Sequence, residues 1–276
     1  MMEWYKRKKV FITGGSSGIG KATAKKLATL GSSVCIAARD NNRLMQALDE
    51  IKGVAAAEDQ VFEAIQLDVR NKLAVEEAAQ KVIAKLGGLD ILINNAGISH
   101  PGYVQEIPDH VFDAMMQVNY FGTVHVTRAF LRHFVGQKSG HIANVSSLLG
   151  FMGVFGYTAY AASKFAVAGF SDALRQELLP HNIGVSVLFP ADTDTPQLHE
   201  EDKIKPPETK AIAGNVKVMS AESVAEKLLS GIAKGKYHIV PGFGSKFTYF
   251  MYRHAPWIVR SFIDADLKKY QKRKAR

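Results

Sequence analysis

Cysteine occurs once in the 276 residues, at position 35, so no disulfide can form within this chain. Its apolar neighbours, Val34 and Ile36, predict a buried strand position and hence an inert thiol in a reducing compartment. Long apolar runs are missing as well. The N-terminal MMEWYKRKKVFITGG carries a three-residue apolar run before its glycines, too short for a signal-peptide core. No stretch reaches the roughly twenty apolar residues that a membrane-spanning helix needs. The expected location is the cytoplasm. A linker rich in glycine and serine is lacking, as is any repeat of solenoid length, which leaves one large domain as the expected organisation. Zinc-finger spacing and an aromatic-rich RNA-binding signature are absent too. A nucleic-acid partner is therefore not expected, despite a formal charge of +9.

What is present is ordinary globular composition, 47% hydrophobic and 22% charged, which argues against disorder. The positive charge crowds the ends: Lys6 to Lys9 at one, and Lys268, Lys269, Lys272, Arg273, Lys274 and Arg276 at the other. Between them, short apolar runs fall at Val10–Ile12, Val34–Ile36, Val61–Leu67, Ile91–Ile93, His141–Val145, Val185–Leu188 and His238–Val240. Segments of helical spacing separate them, such as Lys21–Leu30 and Leu73–Leu86. Strands alternating with helices imply parallel pairing through crossovers. The expected fold is α/β: a doubly wound, seven-stranded parallel sheet with helices on both faces. It should occupy residues 1–245, with an aromatic and then basic extension over 246–276. The polar stretch 191–219, punctuated by Pro196, Pro206 and Pro207, is expected to be a long mobile insertion.

The first strand is followed by T-G-G-S-S-G-I-G, with Gly14, Gly18 and Gly20 in a G-x-x-x-G-x-G spacing. Glycines there allow positive φ and let backbone N–H groups approach a pyrophosphate where the next helix begins. Ser16, Ser17 and Ile19 belong to the same turn, and a dinucleotide is the expected ligand. The second strand ends in A-A-R-D. An acidic residue at this point favours a free ribose 2′-hydroxyl, and an arginine favours a 2′-phosphate. Arg39 thus points to NADPH/NADP rather than NAD, with Asp40 either pairing with Arg39 or receiving the ribose itself. Asp68 and Val69 close the third strand where the adenine would lie. Farther on, Y-T-A-Y-A-A-S-K sets Tyr160 four residues before Lys164, on one helical face. A tyrosine acting near neutral pH needs such a cation beside its oxygen. Tyr157 has Ala161 at that position and reads as wall or core.

Together with N-N-A-G at Asn94–Gly97 and N-V-S-S at Asn144–Ser147, these motifs resemble the short-chain dehydrogenases/reductases in order and in interval. The resemblance covers roughly residues 8 to 240 and implies a Rossmann fold, and commonly a homodimer or homotetramer. It also implies roles. Tyr160 would be the catalytic acid/base. Lys164 would lower the tyrosine pKa and hold the nicotinamide ribose. Ser147 would bond the substrate oxygen, with Ser146 as the fallback. Asn119 would support a water-linked proton path. Asn95, Ala96 and Gly97 would pack beside the cofactor. In P-A-D-T-D-T-P, Pro190, the Thr193 backbone and the Thr195 hydroxyl would meet the nicotinamide carboxamide, although Ala191 replaces the family's usual glycine. No residue is assigned to a metal.

Within the family, F-G-Y-T-A-Y-A-A-S-K-F-A, D-T-D-T-P and K-P-P-E-T-K are similar to the 3-ketodihydrosphingosine reductases, which implies a long-chain ketone substrate and a place in sphingolipid synthesis. Another hydrophobic ketone, such as a 3-oxoacyl, steroid or xenobiotic carbonyl, is the alternative. A non-catalytic cofactor sensor would normally have lost part of the tetrad Asn119, Ser147, Tyr160 and Lys164, which is intact here. The extension supplies Phe247, Tyr249, Phe250, Met251 and Tyr252, and a helix is expected to open at Pro256. That helix either lies at a membrane interface as a peripheral contact or packs on the protein.

Overall fold

The computed structural model describes residues 2–213 and 218–274. A single helical turn, α1 (Met2–Tyr5), opens the chain, and its Tyr5 hydroxyl donates to the Leu229 carbonyl at 2.7 Å. Then β1 (Lys9–Thr13), α2 (Gly18–Thr29), β2 (Ser33–Ala38), α3 (Asn41–Lys52) and β3 (Phe62–Gln66) form one half of the sheet. The crossover α4 (Lys72–Leu86) leads to β4 (Ile91–Asn94) on the other side of β1. Helices α5 (Asp109–Met115) and α6 (Gly122–Gln137), joined by a π-helical turn over Met116–Phe121, lead to β5 (Gly140–Val145). The long α7 (Thr158–Leu178) carries the chain to β6 (Ile183–Leu188).

All seven expected strands occur, the last being β9 (His238–Ile239). They pair in parallel in the order β3-β2-β1-β4-β5-β6-β9. The order reverses between β1 and β4, and a crevice opens there at the carboxyl ends of the strands. Both sheet faces are covered, which is why β4 is buried at every position and its Ile91–Ile93 reads as an apolar run. One core layer packs Leu27, Leu44 and Leu228 against Ile12 and Ile36; the other packs Val82, Phe130 and Leu174 against Phe11 and Leu92. Cys35 is buried on β2, and burial pushes its thiol up to about 12.

The stretch 191–219 departs from the expected mobile insertion. A short strand, β7 (Thr193–Asp194), pairs in parallel with β8 (Met219–Ser220). Between them stand α8 (Pro196–Ile204) and α9 (Pro207–Ala213). Two of the prolines that read as loop punctuation, Pro196 and Pro207, occupy helix starts, where the missing N–H costs nothing and the fixed φ suits the first turn. Thr195 caps α8 by accepting the Leu198 N–H at 3.3 Å. Residues 214–217 of the stretch lie outside the described residues. Helix α10 (Ala221–Ala233) returns to the sheet, and the chain ends with α11 (Phe243–His254) and α12 (Pro256–Lys274). The helix expected at Pro256 is present. Arg276 of the basic tail lies outside the described residues.

Candidate active site

A cleft of about 1310 Å³ runs from the glycine turn, over the carboxyl ends of the strands, to the last two helices. Gly14 and Gly18 both adopt positive φ, at 65° and 51°. A side chain at Gly14 would strike the Ala96 backbone, and one at Gly18 would strike Thr195. Asn95 fastens this turn to β4: its amide donates to the Thr13 carbonyl at 3.2 Å and the Gly14 carbonyl at 3.0 Å. The Asn95 and Ala96 N–H groups both donate to the Thr13 hydroxyl. Ser17 precedes α2 without side-chain capping, so the first-turn N–H groups are left to a ligand. Gly14, Ser16, Ser17, Gly18 and Ile19 line the cleft, and Gly20 lies behind them. Backbone this close-packed, with glycines where a Cβ would collide, fits a pyrophosphate.

At the adenine end, Asp40 caps α3 by accepting the Arg43 N–H at 3.0 Å and approaches the Arg43 guanidinium at 3.6 Å. It does not pair with Arg39, which has no ion pair among the described residues and lines the cleft beside Arg43. Asp68 holds the Arg70 guanidinium with both carboxylate oxygens, and this bonding keeps its carboxyl below the usual range. Adenine recognition by Asp68 would thus compete with Arg70. Val69 packs beneath Gly122, where any side chain would overlap it.

The four residues expected to do chemistry converge on the crevice, each from a different element. The π-helical turn carries Asn119, whose side-chain oxygen accepts the Ile98 N–H at 2.8 Å. Its amide donates to the Ile98 carbonyl and to Ser163. Extra backbone in a π turn re-aims a side chain, and this one ties the loop after β4 to α7. Ser147 follows β5 and accepts the Leu149 N–H at 3.1 Å, facing Tyr160. The hydroxyl of the fallback, Ser146, instead donates to the Lys164 carbonyl at 3.0 Å. Lys164 is 4% exposed, and its ammonium donates to the Val145 carbonyl at 2.9 Å. Pro190 accepts the Leu148 N–H, and the Thr193 hydroxyl donates to the Ala191 carbonyl. Pro190, Thr193 and Thr195 all line the same cleft.

Burial shifts both Tyr160 and Lys164. Burial, followed by the negative charge of Glu201, raises the phenol above its ordinary value, while Ser147 pulls the other way. The lysine is itself pushed down to about 8 by burial. Its ammonium is aimed at the Val145 carbonyl and stands 5.7 Å from the centre of the Tyr160 ring. A buried phenol stays protonated, as a group that must deliver a proton requires.

Several cleft residues had no signal strong enough to be singled out. Glu201 sits in H-E-E-D, which reads as a solvated charge run, yet it is 9% exposed. The Tyr157 hydroxyl donates to it at 2.7 Å, so Tyr157 is the expected wall with an unexpected partner. Knowing that Pro196 opens a helix would have placed Glu201 on its inner face. The tail helices belong to the cleft too: Phe247, Met251, Ile258, Val259, Phe262 and Ile263 line its far end. Tyr249 anchors them, with ring centroids 4.9 Å from Phe151 and 5.8 Å from Phe189, and its hydroxyl bonds His238 at 2.8 Å. The tail helices thus pack against the cleft through part of their surface.

The short chain dehydrogenase family matches residues 8–205, and the chain belongs to it, as an oxidoreductase built on the fold and cleft described above. More particular likenesses follow. Over 229 residues it is 42% identical to a 3-dehydrosphinganine reductase of Danio rerio, covering 83% of this chain and 69% of that one. It is 37% identical to a 3-ketodihydrosphingosine reductase of Dictyostelium discoideum, covering 85% and 74%. A putative oxidoreductase of Mycobacterium tuberculosis, SadH, is 32% identical over 89% of this chain and 90% of its own. Among solved structures, a short chain dehydrogenase/reductase from Burkholderia phymatum in complex with NAD superposes with a TM-score of 0.76 at 26% identity, covering 87% and 90%.

Proposed function

We propose that this oxidoreductase reduces the ketone of 3-ketodihydrosphingosine to dihydrosphingosine with NADPH. The supporting observation is the cleft's far end, where two helices beyond the sheet wall it with Phe247, Met251, Ile258, Val259, Phe262 and Ile263. Apolar lining on this scale suits an acyl chain, at about 0.8 kcal/mol per buried methylene. The reductases named above add weight as relatives over most of the chain. The glycine turn would hold the pyrophosphate of a dinucleotide, with Pro190, Thr193 and Thr195 at the nicotinamide end, and the reduced ring would supply the hydride for the carbonyl carbon. Tyr160 donates its proton to the carbonyl oxygen, and Ser147 hydrogen-bonds that oxygen as negative charge grows on it. Lys164 offers an ammonium beside the phenolate that remains. Asn119 positions the loop that carries Gly97, next to Lys164. Purified protein mixed with NADPH and 3-ketodihydrosphingosine should lose the absorbance of reduced nicotinamide. Failure on that ketone, with rapid turnover of a 3-oxoacyl thioester or a steroid, would refute the substrate.

The preference for NADPH rests on Arg39, free of ion pairs among the described residues and close to Arg43. Arg39→Ala is expected to raise the KM for NADPH by roughly tenfold or more, the scale of a charge-assisted hydrogen bond. The KM for NADH should stay within about twofold. Equal losses with both nucleotides would remove the 2′-phosphate from the proposal.

The same reading includes a peripheral membrane contact. Among the described residues no helix is long and apolar enough to cross a bilayer. Phe243, Phe250 and Trp257 nevertheless stand 89%, 57% and 63% exposed on the last two helices. Lys268, Lys269, Lys272, Arg273 and Lys274 follow on α12, a pairing of apolar and basic groups suited to an anionic interface. Full-length protein is expected to sediment with phosphatidylglycerol vesicles and to be released when these three aromatics are replaced by serine. Retention of the triple variant would exclude this contact.

A further inference from the structure

Glu201 has no obvious task in a carbonyl reduction. Its side chain is nine-tenths buried on α8, in the wall of the same chamber as Tyr160. Its oxygens receive one neutral donor each, the Tyr157 hydroxyl at 2.7 Å and the Gln197 amide at 3.0 Å. Each oxygen therefore keeps acceptor capacity. The cation nearby is already committed: Lys205 holds Asp202 at 2.7 Å and Asp192 at 3.6 Å. No ammonium or guanidinium pairs with Glu201 among the described residues. A buried carboxylate without a cation is costly.

This one is also badly placed for the chemistry taken alone. As Tyr160 gives up its proton it becomes an anion, and the Glu201 charge opposes that change, as does that of Asp192. A carboxylate that both costs stability and resists the proton transfer needs a compensating positive charge. Lys205 acts on Glu201 only at a distance, its ammonium being ion-paired with Asp202 and Asp192, so a direct partner is left for the substrate to bring. We infer that Glu201 is the counter-ion for a protonated amine on the substrate, borne by the carbon next to the reacting ketone.

The inference rests on the proposed substrate, whose amine sits on that carbon. By ordinary bond lengths the nitrogen then lies about 2.5 Å from the reacting carbon. The wall holding Tyr160 is also the wall holding Glu201: the rings of Tyr157 and Tyr160 are 5.8 Å apart, and Tyr157 bonds Glu201 directly. An amine held there brings its positive charge to the place where the carboxylate would otherwise hinder the phenol. Recognition and charge compensation are then one contact. Hydroxy-ketones of equal chain length without the amine would leave the carboxylate unpaired, and so be disfavoured.

The test compares kcat/KM for 3-ketodihydrosphingosine with that for the hydroxy-ketone of the same chain lacking the amine. Wild-type protein should prefer the amine. In Glu201→Gln, of equal size, that preference should fall by about thirty-fold, the lower end for truncating a buried charge pair. Tyr157→Phe keeps the carboxylate and loses only its hydroxyl donor; it should retain the preference. Dinucleotide binding, read by the fluorescence of bound NADPH, checks that both variants are folded. A wild type that reduces both ketones equally, or a Gln variant that keeps the preference, overturns the inference and leaves the proposed function standing. Loss of preference in Tyr157→Phe equal to that in the Gln variant also overturns it, since Glu201 would then act only by positioning Tyr157. If wild type reduces neither ketone but does reduce a 3-oxoacyl thioester, the proposed function fails, and this inference with it.

Discussion

Tyr160→Phe is expected to lower the turnover of ketone reduction by about 10²- to 10⁴-fold, the range contributed by a positioned general acid. The dissociation constant for the dinucleotide should change by no more than about threefold. The substitution removes one oxygen and keeps the ring, which packs near Tyr157 with centroids 5.8 Å apart. Burial and Glu201 hold the phenol in its protonated form, so the hydroxyl is a proton donor throughout the neutral range. Its product, a phenolate, depends on the nearby ammonium. Lys164 has been pushed down from 10.5 to about 8 by burial, so that ammonium is lost as pH rises through about 8. Reduction by the wild type should therefore slow above that pH, along a single descending limb. The same shift has a stability consequence. Between about 8 and 10.5 the unfolded chain carries a proton on this lysine that the folded chain does not, so stability rises with pH across that window. A Tyr160→Phe enzyme with near wild-type turnover would end the proposed mechanism.

Gly20→Ala should abolish measurable dinucleotide binding, with affinity falling by about 10²-fold or more. A Cβ at Gly20 would press into the carbonyl of Gly14 and lie 2.5 Å from the Asn95 amide nitrogen. Neither can step aside. Gly14 is backbone at positive φ, and Asn95 is held by two carbonyls and by its own N–H on Thr13. The helix start would have to move away from the strand, taking its N–H groups out of reach of a pyrophosphate. Overpacking of this kind costs about 1–3 kcal/mol, or more where backbone is the obstacle. Isothermal titration with NADPH measures the loss, and thermal melting reports the accompanying destabilisation. An alanine variant that binds with native affinity would show that the turn has room it does not display.

Where chemistry follows local sequence, it was legible beforehand. The seven strands are short apolar runs at β spacing, bounded by turns, and every one of them formed. Tyr160 and Lys164 share a helical face because four residues make about one turn. The glycine turn declares itself because no other residue tolerates its backbone. Glu201 was hidden for the opposite reason. Charged residues in a row on a short helix look solvated, and only the packing of α8 against Tyr157 turns one of them inward. The two prolines at 196 and 207 were read as loop, since the same fixed φ that interrupts a helix also begins one.

By itself the sequence determined the alternation of strands and helices, the glycine turn and the groups proposed to react, because each depends on residues near in the chain. Tertiary structure alone decided which serine faces the tyrosine, that Asp40 serves Arg43 rather than Arg39, and that the tail helices wall the chamber. It also decided that burial and a neighbouring carboxylate raise the phenol's hold on its proton. Those outcomes depend on distances between segments far apart in sequence and on the exclusion of water from the space they enclose, which no local pattern encodes.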